Sequence, residues 1–199
     1  MAIDFMVMPL SRYVIGDFIT PTMRYAWEQG VPYRIIGPEG PTEYPPDTPF
    51  GGPDAPAQRQ HALPMVIDDL RKALPSEAAA LLWDEGSDET PCFHRVDPGA
   101  YEALLQHASQ AAPRTSFLGH FKKAPPLPNQ LRAGLLLPCE LAAPFDMAEP
   151  LSVLAGSSPR ALEQLQRVEW PAEAQPAAQT MVEAIADSLR LRLPLIVDR

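Results

Sequence analysis

One short segment of the chain combines residue types that are common in catalytic sites. Residues 93–98 read FHRVDP and bring His94 and Asp97 close to Cys92. The pattern predicts a strand over residues 92–96 that leads directly into a helix. Catalytic groups often lie at such strand ends in open α/β sheets. A hydrolase or transferase site around His94 is therefore one hypothesis for this chain.

Strand alternation favours a structural role for the same side chains. His94 shares its strand face with Val96, which predicts a core histidine with one hydrogen bond. Asp97 is the expected N-cap of the following helix. Cys92 points to the same side as His94, as a nucleophile and its base would, but no neighbouring residue is placed to orient the imidazole. We therefore expect structural roles for these three residues, with catalysis as the alternative.

Neither a metal site nor a cofactor is predicted. The four histidines and two cysteines show no HxxxH or CxxC spacing, so Cys92 and His94 would need distant partners to bind a metal. The segment AGSSPRA, residues 155–161, follows an expected strand and opens a helix, where free N–H groups could hold an anion. It matches no phosphate-binding or nucleophile motif. We predict only a helix cap at Ser158.

A turn rich in carboxylates follows a tryptophan. Residues 83–89 read WDEGSDE, and Gly86 favours a turn. The carboxylates could attract Arg or Lys side chains of a protein partner while the indole ring anchors the contact. The predicted binding residues in this turn are Trp83, Asp84, Glu85, Asp88 and Glu89. A solvated turn without a partner is the alternative.

The charge balance argues against nucleic acid as a partner. The chain carries 25 acidic and 16 basic residues other than histidine, for a net charge of -9. Affinity for nucleic acid comes largely from Lys and Arg that neutralise phosphates. A local basic group does exist, with Phe117 and Phe121 interleaved, and consists of Arg114, His120, Lys122 and Lys123. Four cations in an acidic protein are too few for such a surface, so a basic protein is the more suitable partner.

Residues 37–56 contain seven prolines and four glycines, and this composition predicts a long, ordered loop. A hairpin formed by Tyr33–Ile36 and Thr42–Tyr44 is compatible with the first part of it. A stiff loop loses little conformational entropy on binding, so Tyr44 and Phe50 could anchor a partner. The alternative is that the two rings fold back and hold the loop against the sheet.

Hydrophobic periodicity predicts an α/β or α+β fold. Strands are expected at residues 3–8, 92–96, 135–137, 151–154 and 193–197. Helices are expected at residues 20–30, 54–74, 76–83, 97–108, 158–168 and 177–190. We predict a single domain over residues 1–199, with a mixed sheet flanked by amphipathic helices. The clearest helix aligns Met181, Ile185 and Leu189 on its core side.

The cysteine usage and the N-terminus predict a cytoplasmic protein. Two cysteines are too few for a disulfide scaffold, so both thiols are expected to be reduced. Asp4 stands where a signal peptide carries basic residues, and Pro9 interrupts the first apolar run. No run approaches the roughly 18 apolar residues of a membrane span.

These observations favour a protein-binding role. An acidic chain with stiff loops and aromatic residues, and without a catalytic spacing, suits an antidote, or immunity-type, protein that neutralises a toxin by direct binding. An adaptor subunit of a larger assembly fits the same residues. The enzyme built around His94 is the third hypothesis.

Overall fold

The structure is a computed structural model and describes residues 2–76, 83–110, 129–149 and 151–199. In these ranges the strands are β1 (Ile3–Val7), β2 (Tyr33–Gly37), β3 (Gly40–Tyr44), β4 (Cys92–Val96), β5 (Leu135–Leu137), β6 (Phe145–Asp146), β7 (Leu154–Ser157) and β8 (Leu195–Asp198). The α-helices are α1 (Leu10–Ile15), α2 (Pro21–Glu28), α3 (Ala55–Ala73), α4 (Pro98–Gln110), α5 (Ser158–Gln166) and α6 (Gln175–Leu191), and Gln130–Arg132 form a 3₁₀ helix.

Six strands form one mixed sheet in the order β4-β1-β8-β5-β7-β6. Neighbouring strands run antiparallel except β5 and β7, which are parallel. Strands β2 and β3 form a separate antiparallel hairpin. This mixed α/β architecture confirms the predicted fold class.

The sheet is covered on both faces because its central strands are apolar on both sides. Phe5 and Val7 of β1 face a core built with helices α4, α5 and α6. Met6 and Met8 face a second core that includes Leu10 of α1 and Leu70 of α3. Successive strand residues point to opposite faces, so β1 contributes to both cores. Two helical layers therefore enclose one sheet.

The N-cap residue predicted for α2 is confirmed, and the one predicted for α5 is wrong by one position. Thr20 caps α2 as its sequence predicts, because its hydroxyl accepts a hydrogen bond from Met23 N at 3.2 Å. The cap of α5 is Ser157, not Ser158, since Arg160 N donates to Ser157 Oγ at 3.3 Å. Strand β7 extends to Ser157, which moves the cap back by one residue. Ser158 is buried, with its Oγ 3.2 Å from Ser188 Oγ.

Strand β7 also begins later than predicted. A strand was expected over residues 151–154, but β7 covers Leu154–Ser157. Ser152 has a φ of 46°, in the left-handed region, and belongs to the turn that joins β6 to β7. The apolar residues before Leu154 therefore pack around this turn and do not extend the strand.

The proline-rich segment is shorter as a loop than the prediction of residues 37–56. Its first part forms β3, and Ala55 begins α3, which leaves residues 45–54 as the connection. Pro41 is tolerated in β3 because the hairpin has only two strands and therefore free edges. The connection lies against the end of α1, where Gly51 N donates to Gly16 O at 2.6 Å. Gly16 has a φ of 71°, and a Cβ there would lie 2.6 Å from Gly51 N.

The sequence patterns did not predict α1 or β6, because elements of six and two residues are too short to show a period. Helix α3 continues through Pro64, although a proline inside a helix removes one backbone hydrogen bond. The helix predicted over residues 76–83 falls mainly outside the described ranges. The basic group of Arg114, His120, Lys122 and Lys123, with Phe117 and Phe121, lies there entirely.

Candidate functional site

His94 is held by a hydrogen bond to a side chain that only the folded chain brings near it. Its Nε2 lies 3.0 Å from Oδ2 of Asp187 in α6, and the histidine side chain is 18% exposed. The predicted hydrogen bond of His94 is present, but the side chain is half-buried and not the core histidine that alternation predicts. Arg190 Nη2 contacts the other oxygen of Asp187 at 2.6 Å. This hydrogen bond, followed by that of His94, lowers the pKa of Asp187.

Cys92, beside this pair, has the properties of a structural thiol. Burial raises its pKa, and the negative charge of Asp187 raises it further. A nucleophilic cysteine needs the opposite shift, since the thiolate is the reactive form. Asp187 therefore orients His94 as a catalytic carboxylate would, but it disfavours the thiolate of Cys92. Asp187 can thus hold the imidazole of His94 in one orientation, but the thiol of Cys92 stays protonated at neutral pH.

Asp97 caps α4, as predicted. Its Oδ1 accepts a hydrogen bond from Ala100 N at 3.1 Å, and its carbonyl oxygen accepts one from Tyr101 N at the same distance. These bonds satisfy donors at the start of the helix. The carboxylate of Asp97 is thus engaged by the backbone.

Glu85 does not lie in an exposed steering patch. It is buried, and its two carboxylate oxygens accept hydrogen bonds from Leu10 N at 3.0 Å and Ser11 N at 2.8 Å. The indole N–H of Trp83 also donates to this carboxylate. Glu85 stabilises the start of α1, where free N–H groups favour a negative charge. Because Glu85 is buried, the prediction that it contacts a partner at the surface is corrected. Trp83 is half-buried and packs against the second core.

The other three carboxylates of the acidic turn are exposed. Asp88 is 97% exposed in its side chain and lies 3.3 Å from Nη1 of the buried Arg59. Arg59 Nη2 donates to Glu85 O at 2.8 Å and Ser87 O at 2.9 Å. The buried guanidinium of Arg59 therefore stabilises the turn through these hydrogen bonds, while Asp84, Asp88 and Glu89 face solvent.

Tyr44 and Phe50 belong to a row of five aromatic rings. Their centroids follow one another at 6.1, 5.6, 5.6 and 6.1 Å in the order Tyr13, Phe18, Phe50, Tyr44 and Tyr33. Phe50 also packs against the second core, and its N–H donates to Phe18 O at 2.8 Å. Phe50 thus folds back against the second core, as the alternative expects, whereas Tyr44 packs against the rings of Phe50 and Tyr33. A role of either ring as a partner anchor stays a prediction.

Four of the five rings, all except Tyr44, line a cleft of about 660 Å³. On its floor, Asp4 of β1 lies directly between Arg95 of β4 and Asp198 of β8 in the strand register. Arg95 binds Asp4 with two hydrogen bonds, Nε to Oδ1 at 2.7 Å and Nη2 to Oδ2 at 2.9 Å. In the part of the chain that the structure describes, Asp198 has no ion-pair partner. The cleft thus holds two carboxylates and one guanidinium.

The electrostatics of this cleft follow from that imbalance. Partial burial raises the pKa of Asp198, and the neighbouring charge of Asp4 raises it further, while a hydrogen bond from the backbone of Arg199 offsets part of this shift. Burial also raises the pKa of Tyr13, with a second contribution from Asp198. The hydrogen bond to Asp4 raises the pKa of Arg95. We name this site, formed by Asp4, Asp198, Arg95, Tyr13 and Tyr33, the acidic cleft.

Sequence reasoning did not identify the acidic cleft, because its charged residues come from both ends and the middle of the chain. The sequence contains one signal of this site. Asp4 interrupts an apolar strand, and alternation places Arg95 on the face opposite His94. Only strand order shows that these two residues and Asp198 are neighbours.

Exposed apolar side chains concentrate in one stretch near the hairpin. Within the described residues, the large hydrophobic side chains that are more than half exposed are Tyr25, Val31, Ile36 and Met65. Tyr25 lies in α2, Val31 lies in the connection that follows, and Ile36 lies in β2; we name these three residues the hairpin patch. Helix α2 is tied to the hairpin because Trp27 Nε1 donates to Tyr44 O at 3.0 Å.

The described residues contain no group of three or more His, Cys, Asp or Glu side chains arranged to hold a metal ion. None of the helices in the described ranges combines the length and the apolar character needed to cross a membrane. Comparison with known proteins returned no match: the chain matches no family model, no curated protein and no solved structure.

Proposed function

We propose that this chain is an acidic, cytoplasmic protein-binding module of the immunity type, which neutralises a basic toxin by direct binding. The observation that carries the proposal is the hairpin patch. Ile36 is 86% exposed, Tyr25 is 63% exposed and Val31 is 52% exposed. Apolar and aromatic side chains of this kind supply binding energy when a partner buries them.

The position of the patch suits an interface. Ile36 lies next to the turn of a two-stranded hairpin that is separate from the main sheet. Strand alternation turns Ile36 and Arg34 outward, while Ile35 is partly covered. Because the fold does not bury Ile36, a partner could cover it without any rearrangement of the core.

The charge of the chain supports a basic partner. A net charge of -9 attracts a cationic protein over distances comparable to the screening length and speeds its association. The exposed carboxylates of Asp84, Asp88 and Glu89 remain candidates for steering, without Glu85. Steering of this type is lost at high salt.

Capture of a partner from the native host tests the proposal. Natural protein, Ile36→Ser and Met65→Ser are immobilised and incubated with host extract. Met65 is the matched control, because it is 69% exposed but lies on α3. We expect Ile36→Ser to weaken capture by about tenfold or more, as loss of an interface anchor does. Equal capture by both variants would place the interface elsewhere.

Two further experiments test whether the partner is a toxin that the chain neutralises and whether the exposed carboxylates steer its association. Co-expression of the natural protein is expected to protect cells from the captured partner, and Ile36→Ser is expected to protect less. Neutralising Asp84, Asp88 and Glu89 together should mainly slow association and reduce its salt dependence. A captured partner that is not toxic would instead favour the adaptor hypothesis.

A hydrolase or transferase remains the second candidate, and one observation favours it. Asp187 lies 3.0 Å from His94 and orients the imidazole. The protonated thiol of Cys92 argues against it. We expect that no activity of the purified protein depends on His94. A turnover that His94→Ala abolishes, with the far-UV spectrum unchanged, would replace the binding proposal by an enzymatic one.

A further inference from the structure

We infer that the acidic cleft binds a positively charged Arg or Lys side chain of the protein partner. The inference rests on the proposed function, because it assigns one contact of that interface. Three independent features carry it: a carboxylate without a counter-ion, walls of aromatic rings, and a position beside the hairpin patch.

The first feature is charge. Asp4 is neutralised by two hydrogen bonds from Arg95, whereas Asp198 pairs with no cationic side chain of the described residues. The guanidinium of the adjacent Arg199 does not pair with Asp198, because its Nη2 donates to the Tyr101 hydroxyl at 3.3 Å and it lies over that ring. Only the backbone of Arg199 contributes to Asp198, through a hydrogen bond that lowers the pKa of the carboxyl group. A bound cation would offset the repulsion that remains between Asp198 and the neighbouring Asp4.

The second feature is the wall. Tyr13, Phe18, Phe50 and Tyr33 line the cleft. The faces of Phe18 and Phe50 stack on neighbouring rings, so the tyrosines at the two ends of the row are the rings whose faces can attract a cation within about 6 Å of the centroid. The hydroxyls of Thr20 and Thr22 also line it and can accept hydrogen bonds from an ammonium or guanidinium group. A volume of about 660 Å³ admits a long side chain. These surroundings match a cation on an aliphatic stem.

Other ligand classes fit the cleft less well. An anion would need the donors of Arg95, but its Nε and Nη2 bind Asp4 and its Nη1 lies 3.4 Å from Thr22 Oγ1. An apolar ligand would cover the charge of Asp198 without pairing it, which costs free energy. Only a cation satisfies both the carboxylate and the rings.

The third feature is position. Thr20 and Thr22 stand at the start of α2, and Tyr33 begins β2. The same two elements carry Tyr25 and Ile36, and Val31 lies in the connection between them. A partner that covers the hairpin patch can therefore reach the cleft with a neighbouring side chain.

A small-molecule titration tests the cleft without the partner. N-acetyl-arginine amide is the probe, N-acetyl-lysine amide is the second cation, and N-acetyl-citrulline amide is the neutral control of similar shape. Backbone amide NMR signals of Gly16, Tyr33 and Asp198 report binding. We expect saturable shifts with at least one cationic probe and none with citrulline. Equal shifts with the neutral control, or no shifts with either cation, would overturn the inference.

Variants locate the charge that matters. Asp198→Asn should weaken binding of the cationic probe by about fivefold or more, as expected for loss of a charge-assisted contact. Asp146→Asn is the matched control, because Asp146 is an exposed carboxylate on β6 at the opposite edge of the sheet. Unchanged affinity in Asp198→Asn would refute the assignment, and the far-UV spectrum confirms that both variants are folded.

The capture assay separates this inference from the proposed function. Asp198→Asn is expected to weaken capture as well as probe binding. If Ile36→Ser abolishes capture and Asp198→Asn leaves it unchanged, the protein-binding proposal stands and the cleft inference is wrong. If Asp198→Asn weakens probe binding and no protein is captured by the natural chain, the protein-binding proposal fails and so does the assignment of the cleft to a protein side chain.

Discussion

Among single residues, Glu85 has the role least expected from its surroundings. It belongs to a turn of five charged or polar residues, yet its carboxylate is buried and accepts hydrogen bonds from the first residues of α1. A buried charge is tolerated when hydrogen bonds replace its water. The carboxylates of Asp84 and Glu89, in the same turn, are exposed and do not bind the start of α1.

Glu85→Ala is therefore expected to lower the free energy of unfolding by roughly 2 to 4 kcal/mol, because it leaves buried N–H donors without partners. Urea denaturation measures the loss. Glu89→Ala, which removes an exposed carboxylate from the same turn, should stay within about 0.5 kcal/mol. Similar small effects of both substitutions would contradict the structural role of Glu85.

Asp198 predicts a stability effect that depends on pH. Its pKa is raised in the folded protein, chiefly by burial and then by Asp4. The protonated form is thus favoured by folding, so this contribution to stability is present below the unfolded pKa and is lost as pH rises through the folded pKa. Tyr13 and Arg95 also face the cleft, and they keep their charge state through this acidic range.

Asp198→Asn should accordingly stabilise the protein at pH 7, by an amount within the roughly 0.5 kcal/mol that is usual for an exposed site. The difference from the natural protein should vanish below about pH 4, near the ordinary pKa of aspartate. Thermal unfolding at several pH values checks this. A variant that is less stable at pH 7 would show that the carboxylate is already compensated.

At the level of elements, α6 links the first core to the candidate catalytic pair. Met181 and Ile185 are fully buried, and Leu189 packs against the same core, as its periodicity predicts. Asp187 and Arg190 lie on the other side of the helix and contact each other. One amphipathic helix thus serves both packing and the orientation of His94.

Ile185→Ala should cost roughly 2 to 5 kcal/mol of unfolding free energy, the usual range for truncating a buried aliphatic side chain. Glu183→Ala provides the control on the same helix, because Glu183 is exposed. Its effect should remain within about 0.5 kcal/mol. The midpoints of urea denaturation give the comparison, provided that the m-values of the variants are equal. If Ile185→Ala lowers the free energy of unfolding as little as Glu183→Ala does, this stripe lies outside the core.

On the scale of the whole molecule, the two cores share one sheet. Strand β1 supplies Phe5 and Val7 to one core and Met6 to the other, which Met8, directly after the strand, also joins. Loss of one core exposes half of each central strand, so neither core is expected to persist alone. The acidic cleft lies at the ends of these strands, on the face of the sheet that Met6 shares.

We therefore expect a single cooperative unfolding transition. Near-UV circular dichroism reports the aromatic row, and far-UV circular dichroism reports the helices. Their denaturation curves should coincide. Two separated transitions would divide the chain into independent units, against the predicted single domain over residues 1–199.

The sequence alone determined the local features of this protein. Strands β1, β4 and β5, the cap residues Thr20 and Asp97 and the buried stripe of α6 follow from periodicity and from hydrogen bonds between residues close in sequence. Short elements such as α1 escaped prediction because six residues carry too little pattern. The fold class could be inferred because helices and strands alternate along the chain.

Only the tertiary structure decided which charged groups meet. The contact of His94 with Asp187 spans 93 residues, and that of Glu85 with Leu10 spans 75. The acidic cleft joins Asp4, Arg95 and Asp198 because β1 lies between β4 and β8 in the sheet. Strand order depends on the packing of the whole chain, and no local propensity encodes it. A carboxylate's role in this protein is therefore set by the strand or helix beside it in space.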